Sequence, residues 1–426
     1  MNKVKRLLAL LLALCMVFAL AACSSDKGSA DNGGSAATGS NSDKTDSTDT
    51  GDTADTGDTA DTGSDSGDAS TGDSTGVFKL GGIGPLTGDA AIYGNAAMNG
   101  AQIAVDEINA LGGIQFELNA QDDEADGEKG INAYNNLKDW GMQVLVGPVT
   151  TGSAIAVSSK VYEDRIFAMT PSASSPDVID GKDNMFQVCF TDPNQGIGSA
   201  DYISENFADA KVAVIYRNDD AYSQGIRDTF VSEAEAKGVE VVYQGTFTAD
   251  TQTDFSVQLT AAQSAGADLV FLPIYYQPAS VILNQANAMG YAPTFFGVDG
   301  MDGILTMEGF DPSLAEGVYL LTPFSADAQD DLTKNFVAEY TSRFGETPNQ
   351  FAADGYDDVY AIKAALVEAG CTPDMSAQDI CEAIVGVMTE ISVDGLTGTG
   401  MTWDASGAVS KAPMAVVIRD GVYVTP

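Results

Sequence analysis

The sequence predicts an α/β fold made of two doubly wound lobes, each with a parallel β-sheet covered by helices on both faces. Short apolar runs such as Val144–Val146 and Leu269–Leu272 are typical of strands that are buried on both faces. Segments between these runs carry apolar residues at three- and four-residue steps, which is the helical period. Strands and helices that alternate in this way form parallel sheets. Residues 77–426 also exceed the roughly 250 to 300 residues at which a single core stops growing, so we expect two lobes.

The chain begins with a segment that has the character of an export signal. Basic residues at Lys3, Lys5 and Arg6 precede an apolar run that stops at Cys23. This run is shorter than the about 20 apolar residues of a membrane-spanning helix, but it suits the apolar region of a signal peptide. We therefore predict a signal peptide over residues 1–22.

The end of this segment, Leu20-Ala21-Ala22-Cys23, resembles the lipobox of bacterial lipoproteins. The resemblance implies cleavage before Cys23 and attachment of a diacylglycerol to its thiol. Because two acyl chains anchor a protein stably, the mature protein would be held on the extracellular face of the bacterial cell membrane. The alternative is an ordinary secretory signal with an incidental cysteine.

Residues 23–76 contain little but Ser, Thr, Gly, Asp, Ala and Asn. Such a segment buries too little apolar surface to offset the entropy cost of ordering it. We therefore predict a disordered acidic linker that separates the lipidated cysteine from the folded part.

The charge and composition of the chain exclude several classes of function. The net charge is −41, of which −34 remains on residues 77–426 once the +3 of the signal and the −10 of the linker are set apart. A surface this acidic repels nucleic acid and anionic lipid. The chain has no histidine, which removes Ser-His-Asp and Cys-His catalysis and most zinc sites. We expect no enzymatic activity, no cofactor and no metal site.

Cysteines outside the signal and lipid site do not form a metal-binding or disulfide pattern. They are Cys189, Cys371 and Cys381, an odd number without Cys-x-x-Cys spacing. Cys371 and Cys381 could pair in an oxidising exterior, or all three could remain thiols.

The first helix is predicted from one apolar stripe, and its end from two glycines. The stripe consists of Ala97, Ala101, Ala104, Val105, Ile108 and Leu111. Gly112-Gly113 then predicts a left-handed C-terminal cap. A later helix is predicted from Tyr222, Ile226 and Phe230, which are spaced by four residues. Because ligands bind at the carboxyl ends of strands in such sheets, we expect a site in a cleft between the lobes.

Several motifs then indicate a family. The chain from about Val77 onward resembles the leucine/isoleucine/valine-binding family of solute receptors for ABC transporters. The motifs are Gly84-Pro85-Leu86-Thr87-Gly88, Tyr93-Gly94, Asn99-Gly100-Ala101, Ile108-Asn109-Ala110-Leu111-Gly112-Gly113-Ile114, Gly147-Pro148-Val149-Thr150-Thr151 and Thr170-Pro171-Ser172-Ala173-Ser174-Ser175-Pro176. The resemblance implies the type I periplasmic binding protein fold, with a hinge of three crossovers near residues 190–194, 322–326 and 398–403. It assigns residues 77–191 plus 324–400 to an N-terminal lobe and residues 192–323 plus 401–426 to a C-terminal lobe.

The resemblance also implies the ligand-binding residues. On the first lobe, Thr151 begins a helix that would hold a carboxylate, and Ser172 and Ser174 lie in a turn that would contact the carboxylate and ammonium. On the second lobe, Asp299 would pair with the α-ammonium. Tyr93, Tyr222 and Tyr276 would line the pocket, although Tyr275 is an alternative to Tyr276. Each residue also has a plain structural interpretation as a helix cap, a turn or a core aromatic.

These expectations describe a lipid-anchored substrate-binding protein that delivers a free amino acid to the permease subunits of an ABC importer. The amino acid would be branched-chain or another neutral aliphatic one, and the protein would be a monomer. The alternatives are a ligand-sensing receptor of the same fold and a receptor for another small solute, such as a polar amino acid or a short amide.

Overall fold

The computed structural model describes residues 76–426. The predicted signal peptide, Cys23 and almost all of the linker therefore lie outside the described residues. Within 76–426, strands and helices alternate and form two parallel sheets, so the predicted fold class is confirmed.

The first sheet has five strands in the order β2-β1-β3-β4-β5, all of them parallel. Its strands are β1 (Phe78–Gly84), β2 (Phe116–Asp122), β3 (Val144–Val146), β4 (Phe167–Thr170) and β5 (Met185–Gln187). All residues of β3 and β4 are buried, including Thr170 at the end of the otherwise apolar β4. The strand order reverses between β1 and β3, which is where ligands bind in sheets of this type.

Helices from two separate parts of the chain cover this sheet. They are α1 (Ala91–Leu111), α2 (Gly127–Trp140) and α3 (Thr151–Asp164), followed much later by α9 (Gln350–Glu368) and α10 (Ala377–Val385). The backbones of α1 and α9 touch, since a Cβ on Gly100 would lie 1.8 Å from the Ala352 carbonyl oxygen. Helix α1 ends at Leu111, so the predicted end is confirmed. Gly112 has φ 76° but ψ 175°, so the predicted left-handed cap does not form, and Leu111 at the end of the predicted stripe is exposed.

The second sheet has seven strands in the order β12-β11-β10-β9-β8-β6-β7. Its strands are β6 (Lys211–Arg217), β7 (Glu240–Phe247), β8 (Leu269–Leu272), β9 (Thr294–Gly297), β10 (Tyr319–Thr322), β11 (Met414–Arg419) and β12 (Val422–Val424). The strands from β6 to β10 are parallel, whereas β11 and β12 add an antiparallel edge.

The helices of the second lobe follow its strands in turn. They are α4 (Asp192–Asn206), α5 (Ala221–Lys237), α6 (Ser256–Ser264) and α7 (Tyr276–Met289). The next helix, α8 (Asp331–Phe344), follows β10 and packs near α1 of the first lobe. The predicted stripe of α5, which includes Tyr222, Ile226 and Phe230, is buried. A Cβ on Gly196 would lie 2.0 Å from Thr229 Oγ1, so α4 and α5 also pack closely.

The chain passes between the lobes three times, and the third passage comes later than expected. The first lies between β5 and α4, and the second follows β10. Residues 393–409 stay with the first lobe, because Trp403 Nε1 donates to the Gln187 carbonyl at 2.8 Å. The backbone of Trp403 also forms an antiparallel β-bridge with that of Val409. The chain returns to the second sheet only at β11, about ten residues beyond the expected 398–403, which leaves residues 401–411 with the first lobe.

Two further features concern the described residues only. No helix within 76–426 combines the length and apolar character needed to span a membrane. Cys189, Cys371 and Cys381 are free thiols, of which Cys189 and Cys381 are buried.

Candidate functional site

The candidate site lies where the carboxyl ends of strands from both sheets face each other. On the first lobe, Tyr93 follows β1, Thr151 follows β3, and Ser172 and Ser174 follow β4. On the second, Tyr222 follows β6, Tyr276 follows β8 and Asp299 follows β9. The strand order reverses between β1 and β3 in the first sheet and between β6 and β8 in the second. Both of these points of reversal open into the same cleft.

The N-terminus of α3 carries polar groups without partners. The hydrogen bonds of this helix begin at the amide of Ala154, which donates to the Thr150 carbonyl at 2.9 Å. The preceding amides have no acceptor within the helix. The hydroxyls of Thr150 and Thr151 are buried and have no hydrogen-bond partner within residues 76–426. This end of the helix can therefore receive an anionic group.

Asp299 is the charged residue at the centre of the second lobe's side. It is 3% exposed, and its Oδ1 accepts hydrogen bonds from Tyr222 Oη at 2.5 Å and from the Gly300 amide at 2.6 Å. Its own amide donates to Gln195 Oε1 at 3.2 Å. Burial raises the pKa of Asp299 to about 6, against the lowering effect of these hydrogen bonds. A positive charge at this carboxylate would offset the cost of its burial.

Aromatic rings fill the space between these polar ends. The ring of Tyr93 lies 5.2 Å from Tyr275, 5.0 Å from Tyr276 and 4.5 Å from Phe351, measured between centroids. The Tyr93 hydroxyl contacts the Gly300 carbonyl and accepts from the Tyr276 amide at 3.0 Å. These bonds join the lobes directly.

The cavity left in this inner site is small. It is lined by Tyr93, Val149, Thr150, Ser172, Tyr222, Tyr275, Asp299, Gly300 and Phe351, and its volume is about 10 Å³. That is about the space needed for the centre of one water molecule. A solute of several atoms therefore needs the lobes to separate, or the rings to turn, before it enters.

The structure brings together most of the residues expected from the sequence, with three differences. Tyr275 lines the inner cavity, whereas Tyr276 packs behind Tyr93. Ser174 is fully buried, and its hydroxyl donates to Asp192 Oδ1 at 2.7 Å instead of lining the cavity. Thr151 also lies outside the lining of the inner cavity, directly after Thr150, which lines it.

Sequence reasoning did not find Phe351, Gln195 or Asp192. Phe351 comes from α9, far along the chain from the other aromatic residues, and no local pattern links it to them. Asp192 and Gln195 are polar residues at the start of α4 and are fully buried, a rare condition for an aspartate. Their sequence, Asp-Pro-Asn-Gln, is also an ordinary helix start.

Comparison with known proteins identifies the family. Residues 77–421 match the sequence model of the family described as periplasmic binding protein. The chain belongs to this family. The Leu/Ile/Val-binding protein BraC3 of Rhizobium johnstonii is 32% identical to this periplasmic binding protein over 284 residues, which cover 66% of this chain and 76% of that one. The resemblance seen in the sequence is thereby confirmed.

Solved structures share the fold of this periplasmic binding protein. A branched-chain amino acid transporter substrate binding protein, LivJ from Streptococcus pneumoniae in complex with isoleucine, is 28% identical, with a TM-score of 0.73 over 82% of this chain and 100% of that one. A leucine binding protein, LivK from Thermotoga maritima, is 26% identical, with a TM-score of 0.74 over 82% of this chain and 98% of that one.

Proposed function

We propose that this periplasmic binding protein is the receptor of an ABC importer and binds a free α-amino acid between its lobes. The observation that carries the proposal is the placement of one buried carboxylate, Asp299, across the cleft from the unpaired N-terminus of α3. A zwitterion that leaves water needs a counter-charge for one end and hydrogen-bond donors for the other. The two sides of this cleft offer those two partners.

The assignment of roles follows from this geometry. Asp299 receives the α-ammonium, with Oδ2 as the receiving oxygen because Tyr222 and Gly300 already occupy Oδ1. The amides and hydroxyls at Thr150 and Thr151 receive the carboxylate. Ser172 lines the same cavity and contributes to this end. Ser174 acts indirectly, because its hydroxyl donates to Asp192.

In this proposal the inner site accepts a neutral aliphatic side chain. Tyr93, Tyr222, Tyr275 and Phe351 provide apolar walls, with Tyr276 behind them. The named relatives support the same class, since one carries Leu/Ile/Val binding in its name and one holds isoleucine. Opening and closing of the lobes about the three chain passages gives the ligand its way in.

A ligand screen tests the proposal. Thermal-shift measurements on the purified protein with the twenty amino acids, short peptides, amides and sugars should give a shift with leucine, isoleucine or valine. Calorimetry of the positive compounds then gives the stoichiometry and Kd. A response to sugars alone, or to peptides alone, would refute the assignment of the site.

Affinity should fall as the pH is lowered through about 6. Burial raises the pKa of Asp299 to about 6 in the ligand-free cleft, so below this pH a proton occupies the carboxylate that the ammonium needs. We expect Kd to rise by up to about tenfold per pH unit below about 6 and to stay flat up to about pH 7.5. Calorimetry over this range measures Kd at each pH, and Asp299→Asn should abolish the dependence of Kd on pH. A constant Kd between about pH 5 and 7 would contradict the role of Asp299.

In this proposal the protein is a monomer that delivers its ligand to the permease subunits of the importer. Cys23 is its proposed attachment point to the membrane. If Cys23 carries a diacylglycerol, Cys23→Ala should release the protein into the medium and abolish its partition into a detergent phase. Cys15→Ala, a change inside the signal run, is the control and should leave both unchanged. Equal membrane recovery of Cys23→Ala and the unaltered protein would mean that the lipid anchor is absent.

A further inference from the structure

A second, larger cavity continues outward from the inner site to the mouth of the cleft. Its volume is about 500 Å³, and Thr150 and Tyr275 line both cavities. The first lobe contributes residues 88–90 and 124–125, and the second contributes residues 217, 219–220, 274–275 and 277–278. Because the inner cavity is almost filled, this outer cavity is where the end of a long ligand side chain can lie.

The walls of the mouth cavity are acidic. They carry four carboxylates, Asp89, Glu124, Asp219 and Asp220, and one cationic side chain, Arg217. Glu124 is paired with Lys129 at 2.5 Å, and Asp219 with the Nε of Arg217 at 2.7 Å. Within residues 76–426, Asp89 and Asp220 have no ion-pair partner. They belong to opposite lobes, and Asp220 is partly shielded from water at the start of α5.

Hydrogen-bond acceptors without partners face the same space. Oε1 of Gln277 and Oγ1 of Thr150 are buried and make no hydrogen bond with the described part of the chain. Thr150 is 4% exposed, so its hydroxyl has little access to water except through the cavities that it lines. A buried acceptor that stays unpaired is costly, whereas a ligand that brings N–H donors satisfies it.

Tyr275 joins the two cavities with an aromatic wall. Its ring contacts Tyr93 and Tyr222 on the inner side, at 5.2 and 5.1 Å between centroids, and it also lines the mouth. A lysine-like side chain has an apolar stem and a charged end, and such chains lie along apolar surface with the charge in a polar region. A cation near an aromatic face gains a further attraction.

We propose that the mouth cavity is an outer subsite for the cationic end of a long side chain, so that the ligands of this protein include lysine-like amino acids. The inference rests on the proposed function, because the inner site must hold the α-ammonium and α-carboxylate. The stem passes Tyr275, and the terminal ammonium lies between Asp89 and Asp220, with Oε1 of Gln277 as a further acceptor. Since those carboxylates belong to different lobes, the cation also favours the closed arrangement.

Calorimetry of the purified full-length protein with lysine, ornithine, leucine and glutamate tests this subsite. We expect lysine and ornithine to bind and glutamate not to bind. The ratio of lysine affinity to leucine affinity should fall roughly tenfold in Asp220→Asn and in Asp89→Asn, the value for one charge-assisted hydrogen bond. Asparagine keeps the helix cap at position 220, so folding is preserved. Asp139→Asn removes an exposed carboxylate outside the cleft and should leave the ratio unchanged.

The outcomes separate this inference from the proposed function. If leucine binds and lysine does not, the outer subsite is refuted and the amino acid site stands. If lysine binds and the ratio is the same in Asp89→Asn, Asp220→Asn and Asp139→Asn, the cation lies elsewhere and the subsite is also refuted. If no amino acid binds, the proposed function fails first and the outer subsite fails with it.

Discussion

Asp299→Ala should weaken amino acid binding by roughly two to four powers of ten. The carboxylate is buried, and within the proposed site it is the counter-charge of the ligand's ammonium. Removing one partner of a buried charge pair costs about 3 to 5 kcal/mol, because the other charge is left without compensation in a dry site. Each 1.4 kcal/mol is about a factor of ten in Kd. Calorimetry, or competition against a bound ligand, measures the loss.

A second variant separates charge from shape. Asp299→Asn keeps a side-chain oxygen as the acceptor for Tyr222 and Gly300 but removes the charge. It should lose most of the affinity that Asp299→Ala loses, while the ligand-free protein melts at a similar or higher temperature, because burial already disfavours the charged carboxylate. Glu308→Gln removes an exposed carboxylate and serves as the matched control. An Asp299→Ala variant with unchanged affinity would show that the ammonium binds elsewhere.

Much of the fold could be predicted because its signals are local. The runs at Val144–Val146 and Leu269–Leu272 became buried strands, and the apolar stripe that precedes Gly112 became a helix that ends at this glycine. Periodicity reports which face of an element is buried, and caps report where it ends. These properties depend on a few neighbouring residues, so the sequence displays them directly.

The site was harder to predict because its contacts join distant parts of the chain. Tyr275 and Tyr276 adjoin the start of a helix, and no periodic pattern decides which ring faces the cleft. The partner of Ser174 is Asp192, at the first passage between the lobes, and Phe351 reaches the site from α9. The third passage between the lobes comes later than expected for the same reason, because Trp403 packs against β5, which is distant in the sequence. Only the folded chain shows these pairings.

The buried cluster beside this third passage leads to the second large effect, on stability. Lys411 donates to Asp354 Oδ1 at 2.9 Å and also contacts the Thr397 hydroxyl; its side chain is 1% exposed and that of Asp354 is 3% exposed. Asp357 accepts from the amides of Leu396 and Thr397, at 2.7 and 2.8 Å. Asp358 is buried with neither carboxylate oxygen hydrogen-bonded within the described residues. Lys411 is thus ion-paired with Asp354, and its positive charge opposes the rise in pKa that burial causes in all three carboxyl groups.

Lys411→Met should lower the free energy of unfolding by about 3 to 5 kcal/mol at pH 8, since it leaves buried acidic groups without their cation. Chemical denaturation measures the change. Burial already raises the pKa of Asp354 to about 7 with Lys411 present, and loss of the lysine raises that pKa further. The folded variant then binds more protons than the unfolded chain between about pH 4 and this raised pKa, so its stability increases as the pH falls. The deficit of Lys411→Met should therefore be smaller at about pH 5 than at pH 8.

Two comparisons isolate the ion pair as the cause. Lys237→Met breaks an exposed pair with Asp201 and should change stability little, because solvent already screens that interaction. The double variant Lys411→Met, Asp354→Leu removes both charges and should recover part of the loss, since apolar residues of similar volume often replace a buried ion pair at small cost. If Lys411→Met unfolds at the same denaturant concentration as Lys237→Met, the buried lysine does not hold the third passage to α9. A Lys411→Met deficit that grows at about pH 5 would contradict the proton linkage, because protonation of Asp354 must relieve the unpaired charge.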